Sequence, residues 1–218
     1  MNKKVLIISS SPRKGGNSET LAAAFAKGAR EAGNQVETVY LREKQVGFCK
    51  GCFACCREPG MKDGGIHACA LFRDGMDEIY PKLKECDGLI LASPVYFGSI
   101  STQLKQFMDR TEGLLRYGTS QYQYGLQDKV GGCLAVGGNR NAGEEFALLT
   151  MQYYFEIHDM IVVGSGGEPR PGCYLGGGCT THPERGSVRD AVEQDEIGLK
   201  SARNTGIRVA KTVLRYAK

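Results

Sequence analysis

The 218-residue chain is long enough for one α/β domain with some extra loop. A hydrophobic fraction of 41% supports a sizeable core, and a net charge of +4 without basic runs argues against nucleic-acid binding. No apolar stretch approaches the roughly 18 residues of a membrane span, and the early run 5–8 is too short for a signal peptide. We therefore expect a cytoplasmic protein that binds neither nucleic acid nor membrane.

Apolar runs alternate with helical patterns along the chain. Continuous apolar runs and β-branched alternation predict five strands, at 4–9, 35–41, 88–93, 129–136 and 160–164. Apolar residues at helical spacing predict helices at 17–32, 74–85, 101–115, 144–158 and 195–216. Strands separated by helices favour parallel pairing with helices on both faces. The predicted fold is a single α/β domain over 1–218, with a doubly wound five-stranded sheet of order 2-1-3-4-5.

Two segments do not follow this alternation. The cysteine-rich segment 49–73 lacks regular periodicity, and so does 165–193, which is rich in Gly, Pro and Cys. Irregular stretches of this length inside a compact domain are usually functional or make contacts beyond the domain. We expect an inserted cysteine-rich loop and a long irregular arm that precedes the C-terminal helix.

The loop between the first strand and the first helix has the character of a phosphate site. Ligands of doubly wound sheets bind at the carboxyl ends of strands, where unpaired amides of a helix N-terminus favour an anion. Polar side chains crowd this loop: Ser9, Ser11, Arg13, Asn17, Ser18 and Thr20. In the alternative interpretation, Asn17 or Ser18 merely caps the helix. No P-loop or GxGxxG pattern is present, which argues against a nucleoside triphosphate or a dinucleotide here.

Three segments together resemble the NADPH-dependent FMN reductase family of the flavodoxin-like proteins. They are Ser-Pro-Arg-Lys-Gly-Gly-Asn-Ser after the first strand, 93–99 with the helix segment 104–110, and 136–145. Three motifs in the family's order at the ends of three strands are more specific than any one alone. The resemblance implies a flavodoxin-like fold that binds FMN. It also implies cofactor contacts from the second and third loops: Pro94, Val95, Tyr96, Phe97, Gly98, Gly137, Gly138, Asn139 and Gly143.

The chemistry of these two loops suits an isoalloxazine ring. Pro94 to Gly98 predicts a rigid turn that offers the aromatic ring of Tyr96 and a glycine for close approach. Gly137 and Gly138 allow backbone amides to reach the polar edge of the ring, where donors stabilise charge on the reduced flavin.

Nine cysteines are many for a cytosolic chain of this size, and four of them fall within eight residues. Cys49, Cys52 and Cys55 form CxxCxxC, whose two-residue gaps let successive thiolates converge on one centre, as in 4Fe–4S ligation. Cys69 is the preferred fourth ligand, because Cys56 points away from Cys55 in most backbone conformations. A structural zinc site and free redox-active thiols are the alternatives.

The cysteine motif after the second strand and the segment 136–164 resemble the iron–sulfur flavoprotein subgroup of that family. This resemblance implies a 4Fe–4S cluster near FMN and a homo-oligomer, a dimer or a tetramer, in which the cysteine loop and the arm pack across subunits. Thirteen residues separate Cys55 from Cys69, whereas the subgroup's final gap is short. The insertion 57–68 is a loop that bulges from an intact site, the sign of an altered cluster, or the sign that Cys56 takes part.

FMN exchanges one or two electrons and a 4Fe–4S cluster exchanges one, so the pair can convert single electrons into pairs or the reverse. We expect an electron-transfer flavoprotein that accepts electrons from a ferredoxin-like carrier or NAD(P)H and reduces a small acceptor. A cluster-free FMN or quinone reductase and a non-catalytic redox sensor are the competing hypotheses. No side chain is assigned a catalytic role. His158 lies at the end of a predicted helix, where an interaction with the helix dipole is enough to explain it.

Overall fold

The computed structural model describes residues 3–56, 69–115, 125–139, 141–166, 173–181 and 191–216. The strands in these ranges are β1 (Lys4–Ser9), β2 (Gln35–Tyr40), β3 (Gly88–Tyr96), β4 (Ser99–Ile100), β5 (Val130–Gly137), β6 (Ile161–Val162) and β7 (Gly177–Thr180). The α-helices are α1 (Asn17–Glu31), α2 (Met76–Glu85), α3 (Thr102–Asp109), α4 (Glu112–Leu115), α5 (Glu144–Ile157) and α6 (Glu196–Tyr216).

The main sheet is parallel and has the order β2-β1-β3-β5-β6. Because the fourth and fifth predicted strands are β5 and β6, this confirms the order 2-1-3-4-5 predicted from the sequence. Helices α1 and α6 cover one face, and α2, α3 and α5 cover the other. Along β1, Ile7 packs into the first layer and Ile8 into the second. Both faces of the sheet are therefore apolar, which explains the continuous apolar run that identified this strand.

The fifth strand position is divided between two segments. β6 pairs with the start of β5 at Val130 and Gly131, whereas β7 pairs with its end from Leu134 to Gly137, also in parallel. Two expectations are therefore corrected: the described sheet has seven strands rather than five, and the segment 165–193, expected to be irregular, contains the strand β7. At Gly177 a Cβ atom would lie 2.5 Å from the side chain of Leu134, so close packing requires glycine there.

β3 extends beyond its predicted end at residue 93. Its last residues, Val95 and Tyr96, pair with β4 in a short antiparallel hairpin. The two turn residues, Phe97 and Gly98, have φ of 50° and 78°, as a two-residue hairpin turn with left-handed residues requires. The predicted rigid turn over 94–98 is therefore confined to two residues, and the residues before it belong to a strand.

The predicted helix 101–115 divides into α3 and α4. Ser101 is the N-cap of α3, where its hydroxyl accepts the N–H of Leu104 at 3.3 Å. Arg110 and Thr111 separate the two helices. Within the described ranges, no helix combines the length and the apolar character that crossing a bilayer requires.

Candidate functional site

The carboxyl ends of β1, β3 and β5 lie side by side. In register, Ser9 at the end of β1 is opposite Ala92, and Ser93 and Pro94 of β3 are opposite Ala135 and Val136 of β5. The three loops predicted from the sequence therefore leave the sheet from neighbouring strands. This is the topological switch point, where open α/β sheets bind their ligands.

Buried serines connect the first two loops. The hydroxyl of Ser101 donates to that of Ser10 at 2.8 Å, and the Ser10 hydroxyl donates to the carbonyl of Ala92 at 3.2 Å. The N–H of Ser101 donates to the hydroxyl of Ser93 at 2.9 Å. These three serines are almost fully buried. The sequence prediction did not assign them a role, since a serine in a polar loop gives no sign of whether it faces a ligand or a neighbouring loop.

The first turn of α1 is capped by Gly16, which has no side chain. The alternative in which Asn17 or Ser18 is the helix cap is therefore wrong. Asn17 instead accepts the N–H of Val192 from the C-terminal part of the chain at 3.2 Å. Ser18 is buried in the same turn, and Thr20 is half-buried.

The predicted phosphate donors of the loop itself divide into buried and exposed groups. Ser9 and Ser11 are buried, and the Ser11 hydroxyl donates to the carbonyl of Arg13 at 2.8 Å. The side chain of Arg13 is exposed, so its guanidinium is free to reach an anion at the loop. Glu19, which the sequence prediction missed, accepts the N–H of Gly15 at 2.8 Å and forms an ion pair with Arg42.

The second and third loops touch through glycine backbone. Gly143 has φ of +106°, and a Cβ atom there would lie 2.6 Å from the Cα and the carbonyl oxygen of Gly98. Next to this contact Tyr96 is half exposed and Phe97 is fully exposed. The two aromatic side chains thus stand free beside the loops, as a wall for a planar ring requires.

The third loop is fixed from both sides. The N–H of Thr181 donates to the carbonyl of Gly137 at 2.9 Å, and the Thr181 hydroxyl donates to the carbonyl of Gly138 at 2.6 Å. Across the loop, the carboxylate of Glu144 accepts the N–H of Ala142 at 2.9 Å, and burial raises the pKa of this carboxyl. Asn139 is exposed. The sequence prediction missed both Thr181 and Glu144, which shape the loop rather than face outward from it.

The cysteines surround a cavity of about 690 Å³. Its wall is formed by residues of the cysteine loop, of the end of α3 with α4, and of the second half of α5. All four predicted ligands contribute to it: Cys49, Cys52, Cys55 and Cys69. Between them, Gly51 and Phe53 have positive φ of 60° and 53°, so the chain turns sharply twice. With these turns between them, the three successive cysteines line the same cavity.

Cys56 is excluded from this cavity wall. Its thiol is buried and donates to the carboxylate of Glu112 at 3.8 Å, and it lies 3.8 Å from the sulfur of Cys55. None of the nine cysteines, all of which lie in the described ranges, forms a disulfide. Among the described residues, no three Cys, His, Asp or Glu side chains are already spaced to hold a metal ion. Ligation would require the metal to draw the loop thiols together, which is usual because metal binding and local folding are coupled.

One wall of the cavity contains a hydrogen-bonded group formed by Thr111, Tyr154 and His158. The Thr111 hydroxyl donates to the carbonyl of Met108 at 2.7 Å and accepts the Tyr154 hydroxyl at 3.1 Å. His158 Nε2, 3.2 Å from the same hydroxyl, must therefore be its second donor. This assigns the proton to Nε2 and leaves Nδ1 as a buried acceptor without a partner in the described part of the chain.

Burial lowers the pKa of His158 to about 4, so the imidazole is neutral at pH 7. The expectation that His158 serves the dipole of the preceding helix is therefore wrong, because that interaction needs the protonated ring.

The residues of the cavity fit an anionic sulfur-rich group. Four thiols face one space, and Arg110, whose Nε–H is buried without a partner among the described residues, lies in the same wall. A cationic donor beside four thiolates is what such a group needs to offset its charge. The donor set would also suit zinc.

Comparisons with known proteins agree with this geometry. Residues 3–167 match the NADPH-dependent FMN reductase family. An iron–sulfur flavoprotein of Methanocaldococcus jannaschii is 40% identical over 210 residues, 96% of this chain and 97% of that protein. An iron–sulfur flavoprotein of Methanosarcina thermophila is 36% identical over 93% of this chain and 91% of its own length.

Solved structures share the fold at low identity. RosB with a bound 8-demethyl-8-formylriboflavin-5′-phosphate intermediate has a TM-score of 0.73 at 14% identity, over 98% of this chain and 79% of that one. The NAD(P)H:quinone oxidoreductase from Methanothermobacter marburgensis has a TM-score of 0.64 at 15% identity, over 95% of this chain and 97% of that one.

The fold and the loops at its switch point define a flavodoxin-like, FMN-dependent oxidoreductase. The chain belongs to the NADPH-dependent FMN reductase family and, within it, to the iron–sulfur flavoproteins.

The contact between Gly98 and Gly143 predicts a specific loss of FMN binding. Gly143→Ala adds a methyl group against the backbone of Gly98 and should weaken FMN affinity at least tenfold, measured by fluorescence titration of the apoprotein. Gly33→Ala is the matched control, because Gly33 has a similar φ of +96° but no atom within 4 Å of its Cβ position. Equal affinities of the two variants would contradict this role of the contact.

The buried imidazole predicts a pH dependence of stability. The unfolded chain binds a proton at His158 near pH 6.5, whereas the folded chain binds it only near pH 4. The free energy of unfolding should therefore fall as the pH drops from 6.5 to 4, by up to about 3 kcal/mol from this residue. Urea titrations of the wild type and His158→Gln across this range should show a shallower slope for the variant. Parallel slopes would exclude a buried neutral ring.

Proposed function

We propose that this protein is an electron-transfer flavoprotein that binds FMN at the three loops and a 4Fe–4S cluster at the cysteine cavity. One observation carries the proposal. The four cysteines line a single cavity whose walls include α3 and α5, and both of these helices begin at the loops of the switch point. This arrangement supports two redox sites along the same pair of helices.

The FMN phosphate is proposed to lie at the N-terminus of α1. The amides of the glycine-capped turn, the exposed guanidinium of Arg13 and the hydroxyls of the loop would hold it. The ring would lie against the aromatic side chains of Tyr96 and Phe97, with its polar edge towards the amides of the third loop. The proposed contacts are those predicted from the sequence: Ser9, Ser11, Arg13, Asn17, Ser18, Thr20, Pro94, Val95, Tyr96, Phe97, Gly98, Gly137, Gly138, Asn139 and Gly143.

The proposed cluster ligands are Cys49, Cys52, Cys55 and Cys69. Cys69 is preferred because it lines the cavity, whereas Cys56 is buried behind the wall and donates to the carboxylate of Glu112. Iron is favoured over zinc by the relatives at 40% and 36% identity that are named iron–sulfur flavoproteins. When bound, FMN supplies one- or two-electron chemistry and the cluster one-electron chemistry.

Helix α3 sets the spacing of the two sites within one chain. Its N-cap, Ser101, is bonded to the first and second loops, and Arg110 at its other end lines the cysteine cavity. Eight helical residues at 1.5 Å per residue correspond to about 12 Å. The helix therefore separates the two sites by a short and rigid spacer.

The electron donor is proposed to be a ferredoxin-like carrier or NAD(P)H, and the acceptor a small molecule. The exposure of Tyr96 and Phe97 supports a small acceptor, because it leaves room for a second planar molecule beside the flavin. The family name supports a nicotinamide donor, and the proposed one-electron cluster supports a carrier that donates single electrons.

A homo-oligomer is also proposed, with the outer face of α5 in the interface. Phe146, Leu149, Tyr153 and Ile157 follow helical spacing along α5, and each is about half exposed or more. An exposed apolar row of this size marks an interaction surface more often than a free one. Because it runs from the second loop at Gly98 and Ser99 to the cavity, a second copy of this chain there would shield both sites from water.

The α5 face makes a testable prediction for the oligomer. The wild type should have a dimer or tetramer mass in light scattering, and Phe146→Glu with Tyr153→Glu should shift it towards the monomer by placing two charges in the interface. Leu214→Glu is the control, since Leu214 is an apolar residue on α6 that is about half exposed. A monomeric wild type would exclude the interface.

The cysteine assignment predicts which thiols hold iron. Protein purified without oxygen should contain about one FMN and about four iron atoms per chain, with a cluster signal by EPR. Cys52→Ser and Cys69→Ser should lose the iron and keep FMN, while Cys56→Ser, the matched control from the same loop, should keep both. FMN without iron in the wild type would indicate a cluster-free reductase. Zinc would indicate a structural metal site.

A further inference from the structure

The cysteine loop is closed at its base by one buried ion pair. Arg110 donates through its two terminal nitrogens to both oxygens of Asp74, at 2.6 and 3.2 Å. One of these nitrogens also donates to the carbonyl of Gly47 at 2.8 Å, and the N–H of Gly47 donates to Asp74 at 2.8 Å. Gly47 lies just before Cys49, and Asp74 follows Cys69 by five residues. The pair therefore joins the entry and the exit of the cysteine-rich segment.

The same guanidinium has one donor left over. Its two terminal nitrogens are used at the base of the loop, while the Nε–H is buried and has no partner among the described residues. A buried donor without a partner destabilises the folded chain, because it has lost its bond to water and gained none. Arg110 itself lines the cavity, but this nitrogen is enclosed by protein, so it would meet an acceptor only when ligation draws the loop thiols inward.

Sulfur is the acceptor that this wall offers. Arg110, Cys55 and Cys69 line the same cavity, and the ring of Phe72 lies 4.8 Å from the guanidinium carbon. Burial lowers the pKa of Arg110, but Asp74, Tyr80 and Cys69 together raise it above its usual range. The side chain thus stays charged within electrostatic reach of a proposed ligand.

We propose that Arg110 is a positioning residue of the cysteine cavity: its terminal nitrogens close the base of the loop, and its Nε–H donates to sulfur of the bound iron–sulfur group. This inference rests on the proposed function and adds a residue with a defined effect on the cluster. Hydrogen bonds to sulfur and nearby positive charge both favour the reduced, more negative state of a cluster. Arg110 therefore raises the reduction potential of the cluster as well as holding its loop.

The experiment measures the cluster potential by EPR-monitored redox titration, together with iron content, in anaerobically purified protein. Arg110→Gln should shift the potential downwards by a tenfold change in the reduced-to-oxidised ratio, about 59 mV for one electron. Arg110→Lys keeps the charge but loses the forked guanidinium that bonds to Asp74. Its cluster potential should therefore lie between those of Arg110→Gln and the wild type, and it should retain less iron than the wild type. Asp74→Asn breaks the ion pair and leaves Arg110 charged, so it should lower iron content without a downward shift.

Lys105→Gln is the matched control. Lys105 also lines the cavity, but it is exposed and paired with Asp109, so its loss removes a nearby charge without removing a buried donor. Its potential should equal that of the wild type. Retained FMN affinity and far-UV circular dichroism in each variant show that a change is local to the cavity.

The results distinguish a failure of the role of Arg110 from a failure of the proposed cluster. An iron-loaded wild type whose Arg110→Gln and Arg110→Lys variants keep the wild-type potential would overturn the role of Arg110 alone. A shift equal to that of Lys105→Gln would do the same, since any cation would then suffice. A wild type that binds FMN without iron would overturn the proposed cluster, and the role of Arg110 with it.

Discussion

The arrangement of both candidate sites depends on the anchoring of α3 at its two ends by buried polar groups. At the N-terminal end, Ser101 is bonded to Ser10, which follows β1, and to Ser93, which lies in the second half of β3. At the other end, Arg110 is bonded to Asp74 and to the base of the cysteine loop. Buried polar groups are costly unless they are paired, so these partners have little freedom to move. The helix consequently holds the flavin loops and the cysteine cavity in a fixed relation.

The electrostatics of the cavity differ from those of the three loops. The loops offer backbone amides and hydroxyls near water, which suits a phosphate and the edge of a flavin ring. The cavity instead combines thiols with an arginine that is nearly fully buried, and the carboxylate of Asp74 offsets its charge. A buried ion pair of this kind gives modest net stability after desolvation. Its value lies in geometry, because the forked guanidinium connects three parts of the chain at once.

The C-terminal part of the chain also forms hydrogen bonds with the loops of the switch point. Val192 donates to Asn17 beside the proposed phosphate site, and Thr181 donates twice to the third loop. β7, which ends next to Thr181, continues the edge of the sheet where β6 stops. Asp195 then links β7 to the start of α6 by accepting N–H groups of Thr180 and Gly198. The segment expected to be an irregular arm is therefore partly a structural support of the site.

Local pattern in the sequence was enough for most of the fold, for the loops that meet at the switch point and for the cysteines that line one cavity. Buried strands such as β1 and amphipathic helices such as α1 carry their periodicity within themselves, and CxxCxxC needs only short spacing to indicate a shared ligand. Tertiary structure alone decided the strand at Gly177, the burial of Arg110 and the neutral state of His158. Each depends on residues distant in the chain: Leu134 leaves no room beside Gly177, Asp74 compensates Arg110, and Thr111 fixes the tautomer of His158. A side chain's neighbours, burial and protonation arise from long-range packing, and no local pattern encodes them.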